Sequence, residues 1–202
     1  MPAKERMTIN MKTLVPLFKS LTIFEIVLTT VVAVALGVSF WGWTFVYEIA
    51  KPFLKVAGLS YLVAGFWIFS SVFLAQIVQK PGIAIIASII AAFIESLLTH
   101  WGIMSVLWGI VQGLGAEVIF MVFLYRKWDL KVMLLASGMS AIFSYLLDFS
   151  LYDYKNLSLG FNGIQVITFI FSSCLLAGYL SDLVSKRLVK LGLLDQFLIA
   201  KK

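Results

Sequence analysis

The chain has 202 residues, 61% of them hydrophobic and 13% charged, with a mean hydropathy of +1.01. Soluble domains run at about 45–50% apolar and about 25% charged, so this composition excludes a soluble globular protein and predicts a single all-α integral membrane domain, residues 1–202. One cysteine and one histidine leave no internal disulfide and no ordinary zinc site, and no metal or other cofactor is expected.

The first twenty residues are polar and basic without an apolar centre, which argues against a cleavable signal peptide and makes the first span the insertion signal. Apolar runs of about 18–22 residues predict six transmembrane helices, over roughly 21–39, 60–79, 83–99, 103–125, 131–149 and 163–185. The first span carries Ala33 and Gly37, a small-xxx-small pattern suited to a partner helix. Segment 40–59 is broken by Gly42, Lys51, Pro52, Lys55 and Gly58 and reads as an outer loop. It holds Trp41, Trp43, Tyr47 and Glu48, which cap a pocket or simply anchor the helix in the interface. Two short turns, Gln79-Lys80-Pro81-Gly82 and Arg126-Lys127-Trp128-Asp129, make antiparallel hairpins on the inner side. The 149–162 loop, with Tyr152, Asp153 and Tyr154, is a second long outer segment.

Six spans put both termini on one side. With the termini cytoplasmic, thirteen of the 16 basic residues lie inside and only Lys51, Lys55 and Lys155 outside, as the positive-inside rule expects for a multi-pass plasma-membrane protein. The net charge of +6 is therefore a matter of topology and implies no nucleic-acid partner.

Glu95 and Glu117 sit within apolar spans, where a carboxylate costs roughly 2.5–3.5 kcal/mol on insertion scales. No Lys or Arg lies in the interior of a span to pair with either one, which leaves a bound cation or a hydrogen-bond donor as partner. Glu95 falls about one turn from the outer end of the third span, followed by His100 and Trp101 in a short outer turn. The fourth span carries Trp108 and Gln112 at i,i+4 on one helical face. A carboxylate, an amide and an indole facing one cavity suit a heteroaromatic cation. Glu117 lies deeper, on the Gly109/Gly113 face that permits close helix approach, and reads as a buried inter-helix or coupling residue ahead of a ligand contact. Glu25 and Asp182 sit near inner helix ends, within reach of water, and Asp148 near the outer end of the fifth span is a secondary ligand candidate.

No phosphate-binding G-x-x-x-x-G-K-[ST] loop and no H-E-x-x-H occurs. Gly138-Met139-Ser140 has no intramembrane histidine to serve as base, so no catalytic residue is assigned and the chain reads as a binding protein without enzymatic activity.

Three ordered stretches carry a resemblance: Lys80-Pro81-Gly82-Ile83-Ala84, then Ile89 to Leu98 with Ala91, Ala92 and Glu95, then Gly109-Ile110-Val111-Gln112-Gly113-Leu114-Gly115-Ala116-Glu117. They resemble the YkoE-type substrate-binding (S) components of energy-coupling-factor transporters, from about Glu25 to Gly192. The resemblance implies a six-helix protein that captures thiamine or its hydroxymethylpyrimidine precursor from outside. It also implies a transmembrane coupling (T) subunit and cytoplasmic ATPase subunits as partners, with the S component rotating in the membrane to deliver its ligand. In such components a small-residue face on the first helix meets the coupling subunit. Here Ala33 and Gly37 hold those positions, where the common form has alanine at both. Thiamine sites of this kind use a carboxylate and stacked aromatics, which Glu95 with Trp108, Trp67 or Trp101 would supply; a second carboxylate near the outer loops would favour thiamine over the uncharged precursor. Two other readings stay open: an S component for a different vitamin, and a membrane assembly protein in which Glu95 and Glu117 are protonated glue. A solitary carrier is disfavoured because no internal repeat is visible.

Overall fold

The computed structural model describes residues 21–201. The expectation for the first twenty residues, and their basic side chains, lie outside the described residues. Six helices follow one another in chain order: α1 (Ile23–Lys55), α2 (Ser60–Val78), α3 (Ile83–Leu98), α4 (Gly102–Val122), α5 (Leu130–Leu151) and α6 (Leu159–Lys190). Five are long and apolar enough to cross a membrane, and α3, with 16 residues, is shorter. No strand occurs among the described residues. Large side chains such as Ile23, Val27 and Val31 on α1 and Ile167 and Phe171 on α6 point outward, as a bilayer-facing surface requires.

Helix α1 corrects the sequence reading of segment 40–59. It starts at a capping box, with Thr22 Oγ1 accepting from the Glu25 amide and Glu25 accepting from the Thr22 amide, and then runs unbroken for 33 residues through Gly42 and Pro52. At 1.5 Å per residue this is about 50 Å, longer than the roughly 30 Å hydrocarbon core. Pro52 is tolerated because it falls in the last turns, where the missing amide costs one bond and no further helix has to be supported. The helix stops at Gly58, whose φ of +72° lets the Leu59 amide turn back to the Leu54 carbonyl.

Helix α2 is the centre of the bundle. Every residue from Phe69 to Val78 is buried, so this stretch serves as core, with its polar Ser70, Ser71 and Gln76 buried among the apolar side chains. Its first nine residues, Ser60–Ile68, form a 3-10 helix pressed onto α6: a Cβ on Gly65 would stand 2.4 Å from the Ser172 backbone, and the Gly65 amide donates to Ser172 Oγ at 3.0 Å.

The hairpin of α3 and α4 closes through small residues. A Cβ on Gly109 would stand 2.6 Å from Ala92 Cβ, and one on Gly113 would stand 2.6 Å from Ile85 Cα, so the backbones meet where the sequence pattern placed small side chains. Ala33 and Gly37 are spent in the same way. Both are buried, and a Cβ on Gly37 would meet the Ala91 carbonyl at 2.6 Å and Ile94 Cβ at 2.7 Å. The small-residue face of α1 is thus occupied within the chain, with Gly37 packed on α3. Asp182 is likewise buried rather than open to water, accepting from Lys186 at 2.6 Å and from Gln76 at 3.3 Å.

Candidate ligand-binding site

The α1–α2, α3–α4 and α5–α6 connections gather at one end of the bundle, and beneath them all six helices enclose a cavity of about 720 Å³. Its lining is aromatic, with two buried carboxylates, Glu95 and Asp148.

Glu95 comes from the last turn of α3. Its Oε1 accepts the indole N–H of Trp67 at 2.6 Å and lies 3.5 Å from the Thr44 hydroxyl, while Oε2 takes no hydrogen bond among the described residues. Trp67 comes from the 3-10 stretch of α2 and meets Trp101 and Tyr47 edge-on, with ring centroids 5.6 and 5.2 Å away. A carboxylate held by one indole, with its second oxygen free, is an acceptor preorganised for a donor that the protein does not itself provide.

Asp148 comes from the last turn of α5. Its Oδ1 accepts the indole N–H of Trp108 at 2.7 Å and its Oδ2 accepts the Tyr61 hydroxyl at 2.6 Å. Tyr61 stacks on Phe169, centroids 4.7 Å apart, and its hydroxyl lies 3.2 Å from that of Tyr154. Burial, and then the charge of Asp148, push the Tyr154 phenol up, so it remains a neutral hydroxyl. Neither carboxylate is paired with a cationic side chain among the described residues. Two buried carboxyl groups, each held by neutral donors and surrounded by rings, can meet an organic cation by Coulomb attraction once ionised, amine donors through Oε2, and flat rings by stacking.

Of the residues expected from sequence, Glu95, Trp67, Trp101, Trp108 and Gln112 line this cavity. His100 does not: it is exposed and touches only the outer side of the group, 5.2 Å from the Trp101 ring. Trp41 and Trp43 also stay outside the lining. Trp43 donates to the Val63 carbonyl at 2.8 Å, and Trp41 packs on Phe45. Glu117 sits at the other end of the bundle, where its Oε1 accepts from the Gly82 amide and the Tyr125 hydroxyl, both at 2.6 Å. It thereby ties the start of α3 to the α4–α5 turn. Burial, and then the bond to Glu117, push the Tyr125 phenol above its ordinary range, which keeps it a donor.

Tyr47, named from the sequence in a loop that could cap a pocket, lines the cavity from α1, and the lining residues that sequence reasoning did not assign to the site are Lys51 and Lys55 of α1, with Tyr61 and Phe169. The spacing of Thr44, Tyr47, Lys51 and Lys55 at i, i+3, i+7 and i+11 was a helical signal, obscured by Gly42 and Pro52.

Comparison with known proteins agrees with this architecture. Residues 24–143 match the family described as "ABC-type cobalt transport system, permease component". The chain is 34% identical over 186 residues to the "Putative HMP/thiamine permease protein YkoE" of Bacillus subtilis (strain 168), covering 91% of this chain and 92% of that protein. It superimposes with a TM-score of 0.85 and 33% identity on the structure described as "Crystal structure of an S-component of ECF transporter", covering 90% of this chain and 92% of the other. Identity at that level along nearly the whole length, on one fold, means that the chain belongs to the YkoE-type S components of energy-coupling-factor transporters: multi-pass membrane proteins that bind a substrate and leave ATP hydrolysis to partner subunits.

Proposed function

We propose that this S component captures thiamine at the outer face of the plasma membrane, with both termini cytoplasmic, for delivery through a coupling subunit driven by cytoplasmic ATPases. The observation that carries the choice of ligand is the pair of buried carboxylates in one aromatic cavity. Glu95 Oε2 accepts the amino group of the pyrimidine ring, the Trp67–Trp101–Tyr47 group walls that ring, and Asp148 with Trp108 faces the positive thiazolium. Hydroxymethylpyrimidine would leave Asp148 without a counter-charge, which is why thiamine is preferred. The B. subtilis relative's printed description names both compounds.

A transition metal such as cobalt fits the lining less well. Such ions favour imidazole and thiolate donors, and neither His nor Cys lines the cavity. The outward orientation is supported by the basic residues Lys80, Arg126, Lys127, Lys186 and Lys190 falling at the end away from the cavity.

Tryptophan-fluorescence titration of detergent-purified, ligand-stripped protein tests the reading. Saturable quenching by thiamine at submicromolar concentration, weaker quenching by hydroxymethylpyrimidine and none by Co²⁺ is the expected result. Loss of the thiamine response in Glu95→Gln with an unchanged melting temperature would place the anchor. Silence toward both organic ligands from folded protein would return the chain to the assembly-protein reading, or to a different vitamin.

A further inference from the structure

The part of α1 that the sequence hid as a loop changes the chemistry of the cavity. Thr44, Tyr47, Lys51 and Lys55 form one stripe along the helix, and the last three line the cavity. Thr44 stands level with Glu95, its hydroxyl 3.5 Å from Oε1. At 1.5 Å per residue Lys51 stands about 10 Å and Lys55 about 16 Å further along the axis, toward the mouth. Lys51 is half-buried with its Nζ 5.1 Å from the Tyr47 ring centroid, so its stem is held against the aromatic wall. Neither lysine forms an ion pair among the described residues, although Glu48 lies three positions before Lys51 and Asp153 also lines the mouth. The cavity is therefore dipolar: two carboxyl groups further in, and the two lysines nearer its mouth. For a ligand that is only a cation, two ammonium groups at the entrance repel, and nothing in a binding site for thiamine alone calls for them.

We propose that Lys51 and Lys55 form an anion subsite and that the ligand taken up includes a phosphomonoester of the heteroaromatic cation, with the rings against Glu95 and Asp148 and the phosphate between the two ammonium groups. This rests on the thiamine reading and extends it. The linked rings place the hydroxyethyl oxygen, the point of esterification, at the far end of the molecule from the pyrimidine amine, in the direction in which the α1 stripe runs. Ammonium donors suit a phosphate because each is a compact charge that needs no fixed approach angle.

The test is isothermal titration of the detergent-purified protein with thiamine and with thiamine monophosphate, in the native sequence and in the double variant Lys51→Gln/Lys55→Gln. The native protein should bind the monophosphate at least as tightly as thiamine, with an affinity that weakens as salt is raised. In the double variant the ratio of monophosphate to thiamine affinity should fall by about tenfold or more, near 1.4 kcal/mol. An unchanged ratio, or a native protein that binds thiamine but not its monophosphate, overturns the anion subsite and leaves the thiamine reading in place. A folded native protein that binds neither overturns both. Melting temperatures without ligand show whether the variant is folded; should it not be, the native protein's salt dependence with the two ligands decides, since only the monophosphate's should be steep.

Discussion

The two ends of the bundle, outer and inner on the orientation proposed above, each carry a cavity of about 720 Å³, yet they are built from different chemistry. The outer one is walled by Tyr, Trp and Phe and holds two carboxylates whose hydrogen bonds come only from neutral donors. The inner one is lined by Arg126, Lys127, Lys186 and Lys190, and its acids are already engaged: Asp129 caps α5 through the Val132 amide, and Asp182 pairs with Lys186. Equal volume thus says little about function. Unfilled polar capacity alone does not separate the two ends either, since Glu117 Oε2 at the inner end is buried without a hydrogen-bond partner among the described residues. What marks the outer end is that two buried carboxyl groups, Glu95 and Asp148, share one aromatic cavity.

The inner end also bears the fastenings. Lys80 bridges Glu25 at 2.6 Å, Trp128 stacks on Phe120 at 4.8 Å, and Glu117 joins two turns. Gln79, Leu124 and Tyr125 adopt left-handed backbone there, a conformation that costs non-glycine residues energy and persists only when the surroundings hold it.

The contrast can be broken most severely at the contact on which the outer wall depends. Gly65→Val would drive side-chain carbon into the Ser172 backbone, and a cost of more than about 4 kcal/mol is expected. Size-exclusion profiles in detergent should show little monodisperse protein. Next in size are the two carboxylates. Glu95→Gln should reduce affinity for both thiamine and hydroxymethylpyrimidine by about a hundredfold, or about 2.7 kcal/mol. Asp148→Asn should reduce thiamine affinity by about tenfold more than that of the precursor, which paired titrations would reveal. Glu117→Gln acts on the opposite end: losing charge at two short hydrogen bonds should cost about 1–3 kcal/mol of stability, seen as a lower melting temperature, while the thiamine Kd stays within about threefold. The smallest effect is expected for Trp41→Phe. Its ring is 39% exposed and outside the cavity lining, so stability should stay within about 0.5 kcal/mol and affinity should not change.

Much of this was legible in the chain. A close helix contact at Gly109 and Gly113 was legible, because a missing side chain is a local property that permits close approach in any bundle, while the choice of α3 as partner was not. Glu95 was legible because an unpaired carboxylate in an apolar run is costly wherever the helix goes. Asp148 was harder: near a helix end the same residue type reaches water at little cost, and only burial beside Tyr61 and Trp108 makes it part of the site. The extension of α1 to Lys55 was not legible, since Gly42 and Pro52 weaken helical propensity and only packing of Phe40, Thr44 and Tyr47 on the rest of the bundle outweighs that.

The sequence by itself determined that the chain is a helical membrane protein and which apolar segments supply its six helices, because hydrophobicity and charge act residue by residue against the bilayer. It also determined the family, through an ordered motif from Lys80 to Glu117. Only the tertiary structure decided which polar groups share a cavity, that Ala33 and Gly37 face inward, and that His100 faces out. The reason is geometric. A helix fixes the angle between its own side chains, but which of its faces meets a neighbour depends on how all six helices fill space together.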